Sequence, residues 1–92
     1  MKVTVELYGL SRNKVGAREM NVDLPLRASL RQLAAELARL HPRLVDEVVR
    51  GDGSSLVEPY SFYIEGLGFV TDLKTELKDG VRVALMFASA GG

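Results

Sequence analysis

The sequence contains no cysteine, a single histidine and no excess of either charge. Without cysteine there is no disulfide framework, no thiolate nucleophile and no cysteine-based zinc or iron–sulfur site. Twelve Lys and Arg residues balance twelve Asp and Glu residues, which argues against a surface for nucleic acid or anionic lipid. No hydrophobic run reaches transmembrane length, and the first residues alternate where a signal peptide would be continuously apolar. We therefore expect a cytoplasmic protein that binds neither nucleic acid nor membrane.

What is present is the composition of one small globular domain. The chain has 92 residues, of which 47% are hydrophobic and 26% charged, and this length supports one hydrophobic core but not two. We interpret residues 1–92 as a single domain.

The first quarter of the chain has the period-two alternation of β-strands. Apolar and polar residues alternate over residues 2–8 and again over 19–24, where Pro25 ends the pattern. Residues 9–16 between them are polar and basic and are interpreted as a loop. The sequence thus predicts an antiparallel hairpin.

The pattern then changes to the helical period. From Leu30, apolar residues recur at i, i+3, i+4 and i+7, which predicts a helix over roughly residues 29–41. Ser29 and Gln32 have the spacing of a capping box, and Pro42 ends the helix.

The second half of the chain predicts further strands. Residues 51–55 are interpreted as a flexible loop, 60–65 as a third strand and 69–70 as a short edge strand. Leu73 and Leu77, four residues apart, predict a short helical turn.

The last apolar run, residues 81–87, is predicted to be a strand with an unusual second face. One face carries Val81, Val83, Leu85 and Phe87. The other carries Arg82, Ala84 and Met86 and is unusually apolar for an exposed face. Such a strand is either central in the sheet or borders a partner-binding patch, and a central strand is favoured.

The resulting order is β-β-α-β-(β)-β, which is typical of an α+β domain rather than a doubly wound sheet. We predict the β-grasp, or ubiquitin-like, architecture, with a mixed sheet of four to five strands and one main helix.

Catalytic patterns are nearly absent. His41, the only histidine, follows the helix and is interpreted as a capping or surface residue, and no serine lies in a G-x-S-x-G elbow. We predict no metal site, no cofactor bound by this chain and no enzyme activity of its own.

The tail, residues 88–92, has neither the bulk nor the pattern to be buried and is predicted to be flexible. Chance alone gives two terminal glycines about once in a hundred chains of this composition. Gly91 and Gly92 could however pass through a channel too narrow for side chains. The reactive group they would present is a carboxylate, which becomes acylating after attack on the α-phosphate of ATP in a partner's nucleotide site.

At this point the chain resembles the MoaD/ThiS family of ubiquitin-like sulfur carriers, which includes the small subunit of molybdopterin synthase. The resemblance runs along essentially the whole chain. It rests on Gly16-Ala17-Arg18-Glu19, Leu30-Arg31-Gln32-Leu33, Leu40-His41-Pro42, Ile64-Glu65-Gly66, the run from Leu77 to Val83, and Gly91-Gly92.

The resemblance implies that a ubiquitin-activating-type enzyme adenylates the Gly92 carboxylate with ATP, and that a sulfur donor converts it to a thiocarboxylate. The tail would thread into the partner, and a contact patch would lie beside it. The tail residues are Ala88, Ser89, Ala90 and Gly91, and the patch residues are Ala84, Met86 and Phe87.

The acceptor of the sulfur is left open by the resemblance. Molybdopterin biosynthesis is favoured, which implies a complex with the large subunit of molybdopterin synthase. The molybdopterin type usually has proline before its two glycines, whereas this chain has Ala88-Ser89-Ala90. The alternatives are a sulfur carrier for thiamin, tRNA or amino-acid biosynthesis, a protein modifier that forms isopeptide bonds with lysines, and a noncovalent binding module.

Overall fold

Residues 1–53 and 55–87 are described by a computed structural model, in which five strands form one sheet. The elements are β1 (Lys2–Leu7), α1 (Leu10–Val15), β2 (Glu19–Asp23), α2 (Leu30–Leu40), a 3-10 turn (Pro42–Leu44), β3 (Tyr60–Ile64), β4 (Gly68–Val70) and β5 (Arg82–Phe87).

The sheet is mixed, and its strand order is β2-β1-β5-β3-β4. Strands β1 and β2 form the predicted antiparallel hairpin, β5 runs parallel to β1, and β3 is antiparallel to both β4 and β5. The prediction of a central last strand is confirmed, because β5 lies between β1 and β3. The short strand β4 forms an edge, as predicted.

Helix α2 is the predicted main helix, and its start has the predicted capping box. The Ser29 hydroxyl accepts the Gln32 backbone N–H at 3.3 Å, and the Gln32 side chain accepts the Ser29 N–H at 2.9 Å. The helix ends at Leu40, where the N–H of His41 bonds to the Leu37 carbonyl and Pro42 begins the 3-10 turn. These bonds satisfy backbone groups that a helix terminus leaves unpaired.

The core lies between α2 and one face of the sheet. The inward residues of β1, β3 and β5 alternate with outward ones, as the sequence pattern predicted. The largest side chains that are fully buried are Phe62, Leu7, Leu30, Leu33, Leu37, Leu44 and Leu85.

The prediction of a loop over residues 9–16 is wrong, because Leu10–Val15 form helix α1. Its start is held by a distant residue, since the backbone N–H of Ser11 donates to the Tyr60 hydroxyl at 3.0 Å. Its end is a left-handed Gly16, whose N–H bonds to the Arg12 carbonyl. A helix of six residues is not stable alone, so this tertiary contact accounts for it.

The prediction of a helical turn that contains Leu73 and Leu77 is also wrong. This segment pairs with the start of α2, where the N–H of Leu77 donates to the Ala28 carbonyl at 2.8 Å and Thr75 accepts the N–H of Leu30 at 3.0 Å. Backbone hydrogen bonds to α2 take the place of a helical turn over residues 73–77. A tight turn remains at its start, in which the Thr75 N–H donates to the Asp72 carbonyl at 3.1 Å.

The loop predicted over residues 51–55 is described apart from Ser54, and its predicted flexibility is untested. Gly53 is buried against Ala35 of α2. Among the helices in the described ranges, none is long and apolar enough to cross a membrane.

Candidate partner-binding face

The predicted tail lies outside the described residues. This holds for its modification site, Gly92, and for the threading residues Gly91, Ala90, Ser89 and Ala88. Their roles therefore stay predictions, and the structure bears on the site only up to Phe87, the last residue of β5.

The three residues of the predicted contact patch do not come together on one surface. Ala84 and Met86 lie on the face of the sheet opposite α2, which we call the open face. Phe87 follows the alternation of β5 to the other side and packs its ring edge-on against Tyr60, with 4.7 Å between ring centroids.

The end of β5 is held in place by contacts with the start of β3 and the turn before α1. Phe87 is 52% exposed, yet its partner Tyr60 is buried and accepts the hydrogen bond from α1. Gly9 lies beside both rings, with φ 59°. The start of β3, the turn before α1 and the end of β5 thus meet at Phe87.

The open face contains a row of residues that stand directly opposite one another on all five strands. In order across the sheet they are Glu19, Glu6, Ala84, Tyr63 and Phe69. The row is acidic at one end and aromatic at the other, with the small alanine between them.

A cavity of about 290 Å³ opens over Ala84. Ala84 is only 8% exposed, whereas the aromatic side chains around it, Tyr8, Tyr63 and Phe69, are 39 to 48% exposed. Tyr63 and Phe69 pack edge to face with centroids 5.2 Å apart. Half-exposed aromatics around a small floor residue are typical of the centre of a protein interface.

Arg82 lies among the acidic side chains of the open face and forms ion pairs with them. Its guanidinium bonds to Glu6 at 2.9 Å and to Glu19 at 2.8 Å, and it lies 3.9 Å from Glu65. The side chain of Glu65 is 71% exposed and has the longest of the three contacts. Glu65 is therefore the carboxylate that Arg82 compensates least.

The same network shifts the pKa values of Glu6, Tyr8 and Arg82, and that of Arg82 is raised by its hydrogen bonds to Glu6 and Glu19. The hydrogen bond from Arg82, and then that from Tyr8, lowers the pKa of Glu6. The Tyr8 hydroxyl donates to Glu6 at 3.0 Å, which raises the pKa of Tyr8 because the bond stabilises its protonated form. Arg12 lies over the Tyr8 ring, 5.4 Å from its centroid. Tyr8 is thus held from both sides.

His41 lies at the C-cap of α2, the position that the sequence predicted. Within residues 1–53 and 55–87, no three His, Asp or Glu side chains are grouped so that they could hold a metal ion.

Sequence reasoning missed most of the open face. It placed Tyr8 and Tyr63 on the outward positions of their strands but assigned them no role, and it did not connect Glu6, Arg82 and Glu65. The sequence feature that could have indicated this face is the presence of aromatic residues at the outward positions of its strands. The opposition of Glu6, Ala84 and Tyr63 depends on strand order and register, which alternation within single strands does not give.

The fold of this chain is similar to the folds of several solved structures. Neither a protein-family model nor a curated protein matches the sequence. The structure of SAMP1 from Haloferax volcanii superposes with a TM-score of 0.81 at 23% identity, covering 100% of both chains. A candidate molybdopterin converting factor subunit 1 from Pyrococcus furiosus has a TM-score of 0.77 at 27% identity, covering 97% of this chain and 99% of that one.

A third similar structure belongs to a complex. It is a chain from the complex of subunits 1 and 2 of molybdopterin-converting factor from Helicobacter pylori, with a TM-score of 0.63, 18% identity and full coverage of both chains. The predicted resemblance is confirmed in these neighbours, and the fold is the ubiquitin-like β-grasp.

Proposed function

We propose that this protein is a sulfur carrier whose reactive group is the carboxylate of Gly92. A partner enzyme would bind ATP, the carboxylate oxygen would attack the α-phosphate, and pyrophosphate would leave. A hydrosulfide-equivalent nucleophile from a sulfur donor would then displace AMP and leave a thiocarboxylate. The chain itself supplies the carboxylate and the surface by which the partner recognises it.

The observation that carries this proposal is the path of β5. This strand runs through the centre of the β-grasp sheet and ends at the corner formed by Phe87, Tyr60 and Gly9. Residues 88–92, which follow, have small or absent side chains. Residues without bulky side chains are suited to bring a carboxylate into a narrow active site of another protein.

The open face supports the partner-dependent part of the proposal. Ala84 and Met86 contribute to its cavity, beside the aromatic side chains of Tyr8, Tyr63 and Phe69. We assign this face to binding of the activating enzyme and, in turn, of the sulfur-accepting enzyme. Phe87, on the other side of the strand, is assigned to holding the exit of the tail.

Molybdopterin biosynthesis is the pathway we favour. Its support is the similarity to the Pyrococcus furiosus protein at 27% identity and the similarity to a chain of the Helicobacter pylori complex. The accepting enzyme would then be the large subunit of molybdopterin synthase. The cytoplasm is the compartment that we propose for this chemistry.

Mass spectrometry of the intact chain tests the carrier function. The protein is incubated with ATP, a sulfur donor and each ubiquitin-activating-type enzyme of its source cell. We expect the mass to rise by the difference between sulfur and oxygen, with the change located at Gly92. A variant without Gly91 and Gly92 is the matched control and should remain unchanged. A folded protein that never gains this mass with any of the enzymes would refute the proposal.

A protein modifier is the second candidate, favoured by the similarity to SAMP1, a small archaeal modifier protein. It shares the adenylation step but transfers the Gly92 carbonyl to a lysine amine of a target. Digestion of cell extract with trypsin, which cleaves after Arg82, would then yield lysines that carry residues 83–92 as a remnant. These would disappear in the strain that lacks Gly91 and Gly92. Their absence in the unaltered strain would eliminate this candidate.

A further inference from the structure

We propose that the cavity over Ala84 receives an arginine side chain from the protein partner. This rests on the proposed function in one respect, namely that the occupant belongs to a partner protein. It adds the chemistry by which that partner is recognised.

The first step of the argument is charge. Three carboxylates, those of Glu6, Glu19 and Glu65, surround the single guanidinium of Arg82. Of the residues that line the cavity, Glu6 and Glu65 are negatively charged and Arg82 is positively charged, so one negative charge of the lining is not neutralised there. A partner that covered the cavity with an apolar side chain alone would desolvate these carboxylates without compensation, which is unfavourable.

The second step is the shape of the cavity. Ala84 provides a small floor, and the rings of Tyr63 and Phe69 form one wall at the aromatic end of the row. Arginine suits both features, because its aliphatic stem packs on apolar surface while its planar guanidinium stacks on an aromatic ring. The compact, strongly hydrated ammonium of lysine stacks less well.

The third step is position. Arg12 lies over Tyr8 and repels a second cation at that end of the cavity. Glu65 lies at the other end, where Arg82 is 3.9 Å away but donates its hydrogen bonds to Glu6 and Glu19. Of these three carboxylates, Glu65 has the most exposed side chain. The guanidinium should therefore lie between Glu65 and the ring of Tyr63, with its stem across Ala84.

Nuclear magnetic resonance with a small probe tests this directly. The ¹⁵N-labelled full chain is titrated with N-acetyl-arginine methylamide, and with the corresponding citrulline and lysine compounds. Citrulline has the shape of arginine without its charge. We expect the amide signals of Tyr63, Glu65 and Ala84 to shift with arginine, to shift less with lysine, and to stay unchanged with citrulline.

Two variants locate the site. Glu65→Gln removes the charge at the predicted end, and Ala84→Leu fills the floor. Each should reduce the arginine-induced shifts to the level of citrulline, while the spectrum remains that of a folded protein. Glu47→Gln is the matched control, since Glu47 is exposed and lies after the 3-10 turn, outside the cavity lining. It should leave the shifts unchanged.

Other occupants would give different results, each of which overturns the proposal. Equal shifts with citrulline would show that the positive charge is not recognised and that the cavity accepts a neutral side chain. Equal shifts around Glu47 and Glu65 would indicate general attraction to acidic residues. Self-association at high concentration that is lost in Glu65→Gln would indicate a second copy of this chain.

The titration requires neither ATP nor the residues after Phe87. Its failure is therefore distinguishable from failure of the carrier function, which is measured by the mass change at Gly92 and does not depend on the arginine probe.

Discussion

Both faces of the sheet present aromatic side chains, but only one face is sealed from water. Phe62 of β3 is fully buried beneath α2, whereas Phe69 of β4, on the open face, is 48% exposed. Both belong to the same β3–β4 pair, where Phe62 stands opposite Val70 and Phe69 opposite Tyr63. The closed face thus stabilises the fold, while the open face keeps apolar surface available.

The open face is nevertheless ordered by polar contacts. Arg82 connects β5 to Glu6 on β1 and Glu19 on β2, and Tyr8 is bonded to Glu6. Surface ion pairs of this kind add little stability, but they hold side chains in place. Apolar packing therefore stabilises the face of the sheet under α2. On the open face, hydrogen bonds fix the positions of the side chains before a partner binds.

The largest expected effect separates the two phenylalanines. Phe62→Ala should lower the free energy of unfolding by about 3 to 5 kcal/mol, because it leaves a cavity in the core. Phe69→Ala should cost about 1 kcal/mol or less, since it loses mainly the edge-to-face contact with Tyr63. Guanidinium denaturation followed by circular dichroism measures both. Equal losses would contradict the distinction between the two faces.

Substitutions at two glycines test the difference between the packed side of the sheet and its exposed parts. Both Gly53, against α2, and Gly66, in the β3–β4 turn, have positive φ, but only a methyl group added at Gly53 would approach the Ala35 Cα, at 2.9 Å. Gly66→Ala should cost about 1 to 2 kcal/mol from backbone strain. Gly53→Ala should cost about 2 to 4 kcal/mol because overpacking is added. Thermal unfolding of the two variants provides the measurement, and a smaller loss for Gly53→Ala would be the opposite result.

Loss of the helix cap should have a smaller effect. Ser29→Ala removes the hydroxyl that accepts the Gln32 N–H at the start of α2 and should cost about 1 kcal/mol. Ser61→Ala, on the outward side of β3, is the matched control and should remain within about 0.5 kcal/mol of the unaltered protein. Urea denaturation compares them, and indistinguishable midpoints would argue against the capping box as a source of stability.

The smallest effect concerns pH. The pKa of Glu6 is lowered in the folded state by Arg82, so its stabilisation is present above the ordinary glutamate pKa of about 4.3. It is lost as the pH falls through the lowered value. Arg82→Met should raise the Glu6 pKa toward the ordinary one, which ¹³C titration of the carboxyl group measures.

Glu36 gives the matched comparison on the helix. Its pKa is lowered by Arg39, so Arg39→Met should raise the Glu36 pKa and leave that of Glu6 unchanged. A Glu6 pKa that did not respond to Arg82→Met would show that Arg82 does not organise the open face.

Single-chain patterns predicted the elements whose signals are local. The capping residues Ser29 and Gln32 mark the start of α2, and alternation marks β1, β3 and β5, because burial on one face imposes the period directly. Helix α1 was missed because its stabilising contact joins Ser11 to Tyr60, 49 residues away. The extended segment at Leu77 was missed for the same reason, since its partner is Ala28.

The sequence by itself determined the strands, the main helix, the β-grasp order and the position of two glycines after the last strand, because periodicity, capping and composition are properties of neighbouring residues. Only the tertiary structure decided that Glu6, Ala84 and Tyr63 form one row and that Phe87 packs against Tyr60. Strand order and register bring together residues nearly eighty positions apart, and alternation within a strand carries no information about its neighbours.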